Sequence, residues 1–315
     1  MRTYIIRRLL LFPFMLLGVS ILTFTLVRAL PSDAATIRLG AAGSACDECR
    51  ALVIKELGLD KSKPEQYLIW LKGAVQGDFG ISTATRREIT PELRDRAFTT
   101  FQLAVLTVVL TLAIGIPVGA LSAIKAGSVV DYTARFFSIL GLSIPGFWLA
   151  TLIVVMPSYW WGWTPVKQWA SLSGDPLSHF GLLLLPSLTL AIASSAYVAR
   201  ILRSSMLEVL YSDHVRTARA KGLRERSVIF SHVFRNSLLT LLTVIGLQFG
   251  LILGGSIVIE SVFAIPGMGS WAASGVANRD YPTVQAVTVT IAGAFMLVTL
   301  LVDIAYAWID PRIRY

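Results

Sequence analysis

The sequence predicts an all-α integral membrane protein of six transmembrane helices, with a small segment inserted on the outer side after the first. Three observations predict it. The 315 residues are 55% hydrophobic and only 15% charged, with mean hydropathy +0.67, whereas soluble chains carry about 25% charged residues. The charges cluster, leaving six long windows almost free of them. Within those windows the apolar residues run continuously instead of alternating, which excludes a β-barrel.

The chain opens with a basic stretch over residues 1–8, the cytoplasmic N-terminus. The first window, 9–30, is interrupted only by Arg28. About 20 apolar residues cross the hydrocarbon core, so 9–30 is long enough to span. It is also longer than the apolar core of a cleaved leader, and no A-x-A site follows it, so it reads as a retained helix. Arg28 lies near its outer end and can snorkel.

Residues 31–96 form the extracytoplasmic cap segment, predicted to pack on the outer mouth. Apolar residues recur at helical spacing over 49–57 and 64–75. Pro64 suits a first turn, and Gly77-Asp78-Phe79-Gly80 suits a reverse turn. The remainder, 97–315, is the core. Its helices are predicted at about 98–124, 136–157, 179–203, 236–260 and 282–308, with an inside loop over 204–235. Pro117, Pro145 and Pro186 interrupt three of the apolar windows and kink helices. Such kinks are common in membranes, and they can also shape a pathway that opens and closes. Gly246, Gly250 and Gly254 repeat every four residues, a face for close helix approach within the chain or against a partner.

Charge sets the orientation. Six spans put both termini on one side. If that side is the cytoplasm, the N-terminus brings three arginines and the second-to-third connection one net positive charge. The fourth-to-fifth connection brings eight basic and three acidic residues. Together they account for the whole net charge of +9, while 31–96 balances ten basic residues against ten acidic ones. The positive-inside rule selects this orientation. The pI near 9.8 therefore reports topology and not a nucleic-acid surface.

No catalytic or metal-binding pattern is present. G-x-x-x-x-G-K-[ST] and H-E-x-x-H are missing, as is G-x-S-x-G. His179, His214 and His232 read as polar residues at a helix end or in the inside loop. The spans lack the midplane ionisable groups of ion-coupled carriers, and Asp303 reads as pairing with a local arginine. Cys46-Asp47-Glu48-Cys49 has no second ligand pair for zinc. It reads as a possible local disulfide in an oxidising compartment, with reduced thiols as the alternative.

The inside loop stands apart from this apolar chain. Ala218 and Gly222 are four apart, on one helix face, flanked by Arg216, Arg219, Lys221, Arg224 and Arg226. A small-residue face with a cationic flank suits the groove of a soluble partner. It also suits anionic lipid. Gly222 can end the helix by adopting positive φ.

The segment Asp213-His214-Val215-Arg216-Thr217-Ala218-Arg219-Ala220-Lys221-Gly222-Leu223 resembles the inside loop of the B-type permeases of dipeptide and oligopeptide ABC importers. The likeness continues in Tyr4-Ile5-Ile6-Arg7-Arg8-Leu9, Leu30-Pro31-Ser32-Asp33, Gly77-Asp78-Phe79-Gly80 and Arg235-Asn236-Ser237-Leu238. It extends through Gly254-Gly255-Ser256-Ile257-Val258-Ile259-Glu260-Ser261-Val262-Phe263, Pro266-Gly267-Met268-Gly269, Arg279-Asp280-Tyr281-Pro282, Leu301-Val302-Asp303 and Asp310-Pro311-Arg312-Ile313-Arg314-Tyr315. It thus runs end to end. Arg216-Thr217 depart from the Glu-Ala of the wider ABC pattern. The cysteine pair and Trp160-Trp161-Gly162-Trp163 lie outside the pattern, though aromatics there suit an interfacial belt.

This resemblance implies a type I ABC importer permease fold in the bacterial cytoplasmic (inner) membrane. It implies a second homologous permease, two ABC ATPase subunits and an extracytoplasmic substrate-binding protein as partners. ATP and Mg would sit on the ATPases, with no cofactor on this chain. It makes Arg216, Thr217, Ala218, Arg219, Ala220, Lys221 and Gly222 the ATPase-coupling segment, with Ala218 and Gly222 as the seat in the ATPase groove. The substrate expected from family frequency is a peptide; relatives also resemble carriers of glutathione, nickel chelates, opines and sugars. A second function class is a non-transporting receptor or scaffold whose basic loop docks a cytosolic partner.

Overall fold

The computed structural model of the chain describes residues 2–29, 39, 46–56, 58–166 and 168–309. The motifs at 30–33 and 310–315, and the side chains of Arg2, Arg7 and Arg8, lie outside the described residues. Among the described residues the regular structure is helical, apart from one antiparallel bridge between Ile81 and Glu88. The helices are α1 (Arg2–Ala29), α2 (Asp47–Glu56), α3 (Lys63–Val75), α4 (Ile89–Ile124), α5 (Val129–Ser143), α6 (Gly146–Trp161), α7 (Pro176–Leu210), α8 (Asp213–Ala220), α9 (Arg235–Val262), α10 (Met268–Ala277) and α11 (Tyr281–Ile309). One helical turn, Glu225–Ser227, and a π-helical stretch, Val228–Phe234, lead into α9.

Five helical runs are long and apolar enough to cross a membrane: α1, α4, α7, Glu225–Val262 and α11. A sixth exists if α5 and α6 count as one span, although they meet at 91°. The single helix predicted over 136–157 is therefore corrected to two. Pro145 has no N–H to continue the ladder, and its ring disfavours helical backbone at the residue before it. Ile144 accordingly sits at φ −83° and ψ 120°, with Pro145 opening α6. By contrast, α4 runs through Pro117 and α7 through Pro186. Phe14, Phe137 and Leu251 stand about 70% exposed. Lipid, not water, is the solvent that accepts such a surface while every helix satisfies its own backbone.

The chain divides into two compact units. The first comprises Phe101–Ile265 with Met1–Ile5 and Leu297–Tyr315. In it α7 packs on both α9 and α5, and α6 packs on α9. Close approach is set by Gly115 and Gly119 of α4. A Cβ on Gly115 would lie 2.9 Å from the Ser195 carbonyl oxygen, and one on Gly119 would lie 2.7 Å from that of Ala199. Only glycine allows α4 this near the backbone of α7.

A buried ion pair ties the same helices. Asp131, fully buried in the first turn of α5, accepts two hydrogen bonds from Arg203 of α7, each 2.8 Å. It also accepts from the Ser122 hydroxyl at 2.6 Å and the Gly127 amide at 2.9 Å. His179 departs from its reading as a plain polar residue: it is buried. Its ring nitrogens lie 2.9 Å from the Ala170 carbonyl and 3.1 Å from Gln102 Oε1, and its ring packs edge-on to Trp169. The adjacent N-cap, Asp175, fixes the start of α7 by accepting from the Ser178 amide and hydroxyl.

The second unit comprises Ile6–Thr100 and Pro266–Met296. Its core joins Ile89 and Leu93 of α4 to Met268 and Trp271 of α10 and to Ala286 and Val287 of α11. Asp280, between α10 and α11, gathers the loop that precedes α4. Its carboxylate accepts from the hydroxyls of Ser82, Thr83 and Thr283 and from the Thr83 amide, at 2.6–3.0 Å. The motif Gly77-Asp78-Phe79-Gly80 leads into this loop. Asp78 accepts from the Gly80 amide, and Gly77 and Gly80 both take positive φ. On α3 the Tyr67 hydroxyl lies 2.7 Å from that of Ser20 on α1, and its ring packs against Phe24. Cys46 and Cys49 form a disulfide at the start of α2, with Cα atoms 5.3 Å apart.

Candidate functional site

The basic loop folds into α8, an eight-residue helix followed by a tight reversal. Val215 and Ala218, three apart and hence on one face, are buried. They pack with Leu202 and Met206 of α7, Ala123 of α4, and Val228 and Val233 of the π-helical stretch. Val228 and Val233 are five apart, the spacing that a π turn stacks on one side.

The structure separates the two residues assigned to the seat, and the correction falls on Ala218. Ala218 is buried within the chain's own cluster and so presents little surface to a partner. Gly222 lies beyond the helix, exposed, at φ +77°. The amides of Gly222 and Leu223 reach back to the carbonyls of Arg219 and Ala218. That is a Schellman closure, with glycine at its left-handed position. No atom lies within 4 Å of where a Gly222 Cβ would sit, so backbone conformation and not space requires glycine.

The exposed surface of α8 and its C-cap includes the other predicted residues. Arg216, Thr217, Arg219, Ala220 and Lys221 are all exposed. Thr217 donates its hydroxyl to the Asp213 carbonyl at 2.9 Å. Arg216 lies 3.5 Å from the Asp213 carboxylate, an exposed pair that adds little stability. Arg219 makes a two-pronged contact to Glu225 at 2.6 and 3.1 Å, which pins the reversal. The surface can thus present Arg216, Lys221, Arg224 and Arg226 to an acidic or polar groove, while its underside is buried in the cluster. Sequence reasoning did not single out Asp131 and Arg203, which tie α5 to α7, or Val215 and Met206, which share the buried cluster beneath α8. Among the described residues no cluster of three or more His, Cys, Asp or Glu could hold a metal.

Residues 115–315 match the family described as "Binding-protein-dependent transport system inner membrane component". Residues 1–104 match its N-terminal companion. The chain belongs to this family. The permease is 38% identical to the dipeptide transport system permease protein DppB of Escherichia coli K12, covering 100% of this chain and 99% of that one. It is 40% identical to the oligopeptide transport system permease protein AppB of Bacillus subtilis, and 39% to the glutathione transport system permease protein GsiC of E. coli K12. Both of these matches cover each chain in full.

Among solved structures the permease resembles the MetNI methionine ABC transporter in inward-facing conformations. The TM-score is 0.58 at 15% identity, over 70% of this chain and 98% of that one. An amino acid ABC transporter with histidines gives 0.52 at 20% identity, over 71% and 95%. The permease therefore has an ABC importer membrane-subunit fold and is a multi-pass inner-membrane protein. End-to-end similarity to transport permeases leaves the receptor or scaffold reading without an observation in its favour.

Proposed function

We propose that this permease forms half of the translocation pathway of an ATP-driven peptide importer. A second, homologous permease forms the other half. Two ABC ATPases supply the work, holding ATP and Mg on their own chains, and an extracytoplasmic binding protein delivers the substrate. Both termini and α8 face the cytoplasm, as the distribution of positive charge favours. The relatives named above are permeases for dipeptides, oligopeptides and glutathione, all peptide-bonded solutes. They support a peptide or a close analogue as the cargo.

The observation that carries the coupling mechanism is the construction of α8. One face is buried, through Val215 and Ala218, in a cluster shared with Leu202 and Met206 of α7 and with Val228 and Val233 of the π-helical stretch, and the opposite face is cationic and open. A partner that grips the open face and moves must move α7 with it. Packed interfaces shift between discrete arrangements instead of deforming continuously. Closure of the ATPase pair on ATP then rocks the two permeases from inward-open to outward-open, and hydrolysis releases them. The exposed residues Arg216, Thr217, Arg219, Ala220 and Lys221 make the ATPase contact. Ala218 and Gly222 shape the element that carries them.

Affinity purification of the chain from its native membrane in mild detergent, with mass spectrometry of what is retained, tests this. Recovery of a second permease, ATPases and a binding protein with a trapped peptide is the expected result. Recovery without any ATPase would overturn the coupling role of α8, and a trapped non-peptide solute would overturn the cargo.

A further inference from the structure

A cleft of about 260 Å³ lies between α4, α5 and α7, on the side of α7 that carries the Asp131–Arg203 pair. Its floor is apolar and small: Val118 and Gly119 of α4, Ile139 and Leu142 of α5, and Ala199 of α7. Its rim holds three arginines, Arg135, Arg200 and Arg203. The position of that rim along the helices is informative. The uncharged window of α7 ends at Ala199, and Arg200 is the first charge after it; the window that includes α6 begins at Phe136, directly after Arg135. On both walls the arginines therefore stand where hydrocarbon-compatible sequence gives way to charge. Such a position suits the boundary between the acyl chains and the headgroups of a bilayer.

The charges around it do not cancel. The acidic group at the cleft is Asp131, which takes both prongs of Arg203 and lies 3.5 Å from Arg135. That carboxylate contacts two of the three guanidinium groups, and among the described residues no acidic one lines the cleft itself. Arg135 stacks over the Tyr132 ring at 4.6 Å and Arg200 over the Tyr197 ring at 5.7 Å. Both are exposed, and ring stacking holds each side chain in place without neutralising it. Guanidinium is the side chain best suited to a phosphate, which it can bind with two parallel hydrogen bonds. Basic pockets between membrane helices at this level take anionic headgroups.

We propose that this cleft is a binding site for one anionic phospholipid. Its phosphate sits on Arg135 and Arg200, and one acyl chain lies along Ile139 and Leu142. Arg203 remains bound to Asp131 and contributes field without changing partner. The site lies one helical turn from Leu202 and Met206, which seat α8, so lipid occupancy stiffens the helix that carries the coupling element. The assignment needs only that the chain spans a bilayer; it does not depend on the identity of the cargo.

The test is native mass spectrometry of the full chain, purified with the subunits that accompany it, after equilibration in bilayer discs of phosphatidylcholine containing phosphatidylglycerol. Wild type is expected to retain phosphatidylglycerol in preference to phosphatidylcholine. R135Q/R200Q is expected to lose that preference by about thirtyfold, from two surface arginines at the usual strength. Ser138→Leu fills the cleft without touching a charge. It should lose retention too, and it decides the matter if the double variant does not fold. Equal retention by the variants, or equal retention of the two lipids by wild type, would sink the site. Displacement of the lipid by millimolar inorganic phosphate would make it a site for the free anion. Displacement by a dipeptide would make it part of the cargo path. Either displacement overturns the lipid assignment.

Discussion

Several helix ends among the described residues close in the same way with different residues at the critical position. Beyond α3, α8, α9 and α10 the left-handed place is taken by Gly77, Gly222, Ala264 and Arg279, at φ between 53° and 84°. In each case two amides reach back to close a Schellman motif. A side chain costs about 1 kcal/mol there. Gly222→Ala is therefore expected to destabilise by about 1 kcal/mol, and Ala264→Gly and Arg279→Gly to stabilise by a similar amount, read as shifts in the thermal midpoint in detergent. The glycine was legible in the sequence as a helix stop. The alanine and the arginine were not, because tertiary contacts overrode their preference. Ala218 illustrates another limit: a small residue at helical spacing reads alike whether it faces a partner or the chain's own core. Asp131 and Arg203 are 72 residues apart, so no local pattern joins them. Asp131→Asn should cost about 2 kcal/mol, less than a fully buried pair because Arg203 keeps some access to solvent. Asp131→Asn with Arg203→Met should recover part of that loss in the same melting assay.

At the scale of elements, two glycine sets with the same four-residue spacing behave differently. Gly115 and Gly119 touch the backbone of α7, whereas a Cβ on Gly254 would meet nothing within 4 Å and the nearest atom to one on Gly246 would be in the Val302 side chain at 3.1 Å. Gly119→Ala should push α4 off α7 and cost about 1–3 kcal/mol, while Gly254→Ala leaves the melting of the isolated chain unchanged. A loss of subunit assembly from Gly254→Leu, measured by co-purification, would assign that open face to a partner helix. The sequence marked the 246–254 set, but the pair flanking Pro117 reads first as a proline signal. Proline itself was only half legible. Pro145 breaks its helix because Ile144 is free to extend, whereas Pro117 and Pro186 sit inside helices held by their neighbours. His179 was misread because its polarity is answered by Ala170 and Gln102, and Gln102 is distant in sequence.

At the scale of the molecule, span number and charge distribution carried most of what the sequence disclosed, since both are additive and need no contact information. They also fix an expected topology. Lys61→Cys should react with an impermeant thiol reagent in intact cells, and Lys221→Cys only after permeabilisation. The reverse pattern would invert the orientation and remove α8 from any cytosolic motor. The π-helical stretch ahead of α9 adds a constraint of a different kind. Each residue in an α-helix turns the chain by about 100°. The stretch inserts winding between two bodies held at either end, α8 in the buried cluster it shares with α7 and α9 packed on α7. Deleting one residue from 228–234 would leave the composition almost untouched yet put the two clamps out of phase. The length of this segment acts as a timing mark: side chains within it can vary in kind, but its residue count cannot drift without disengaging the foot from the shaft.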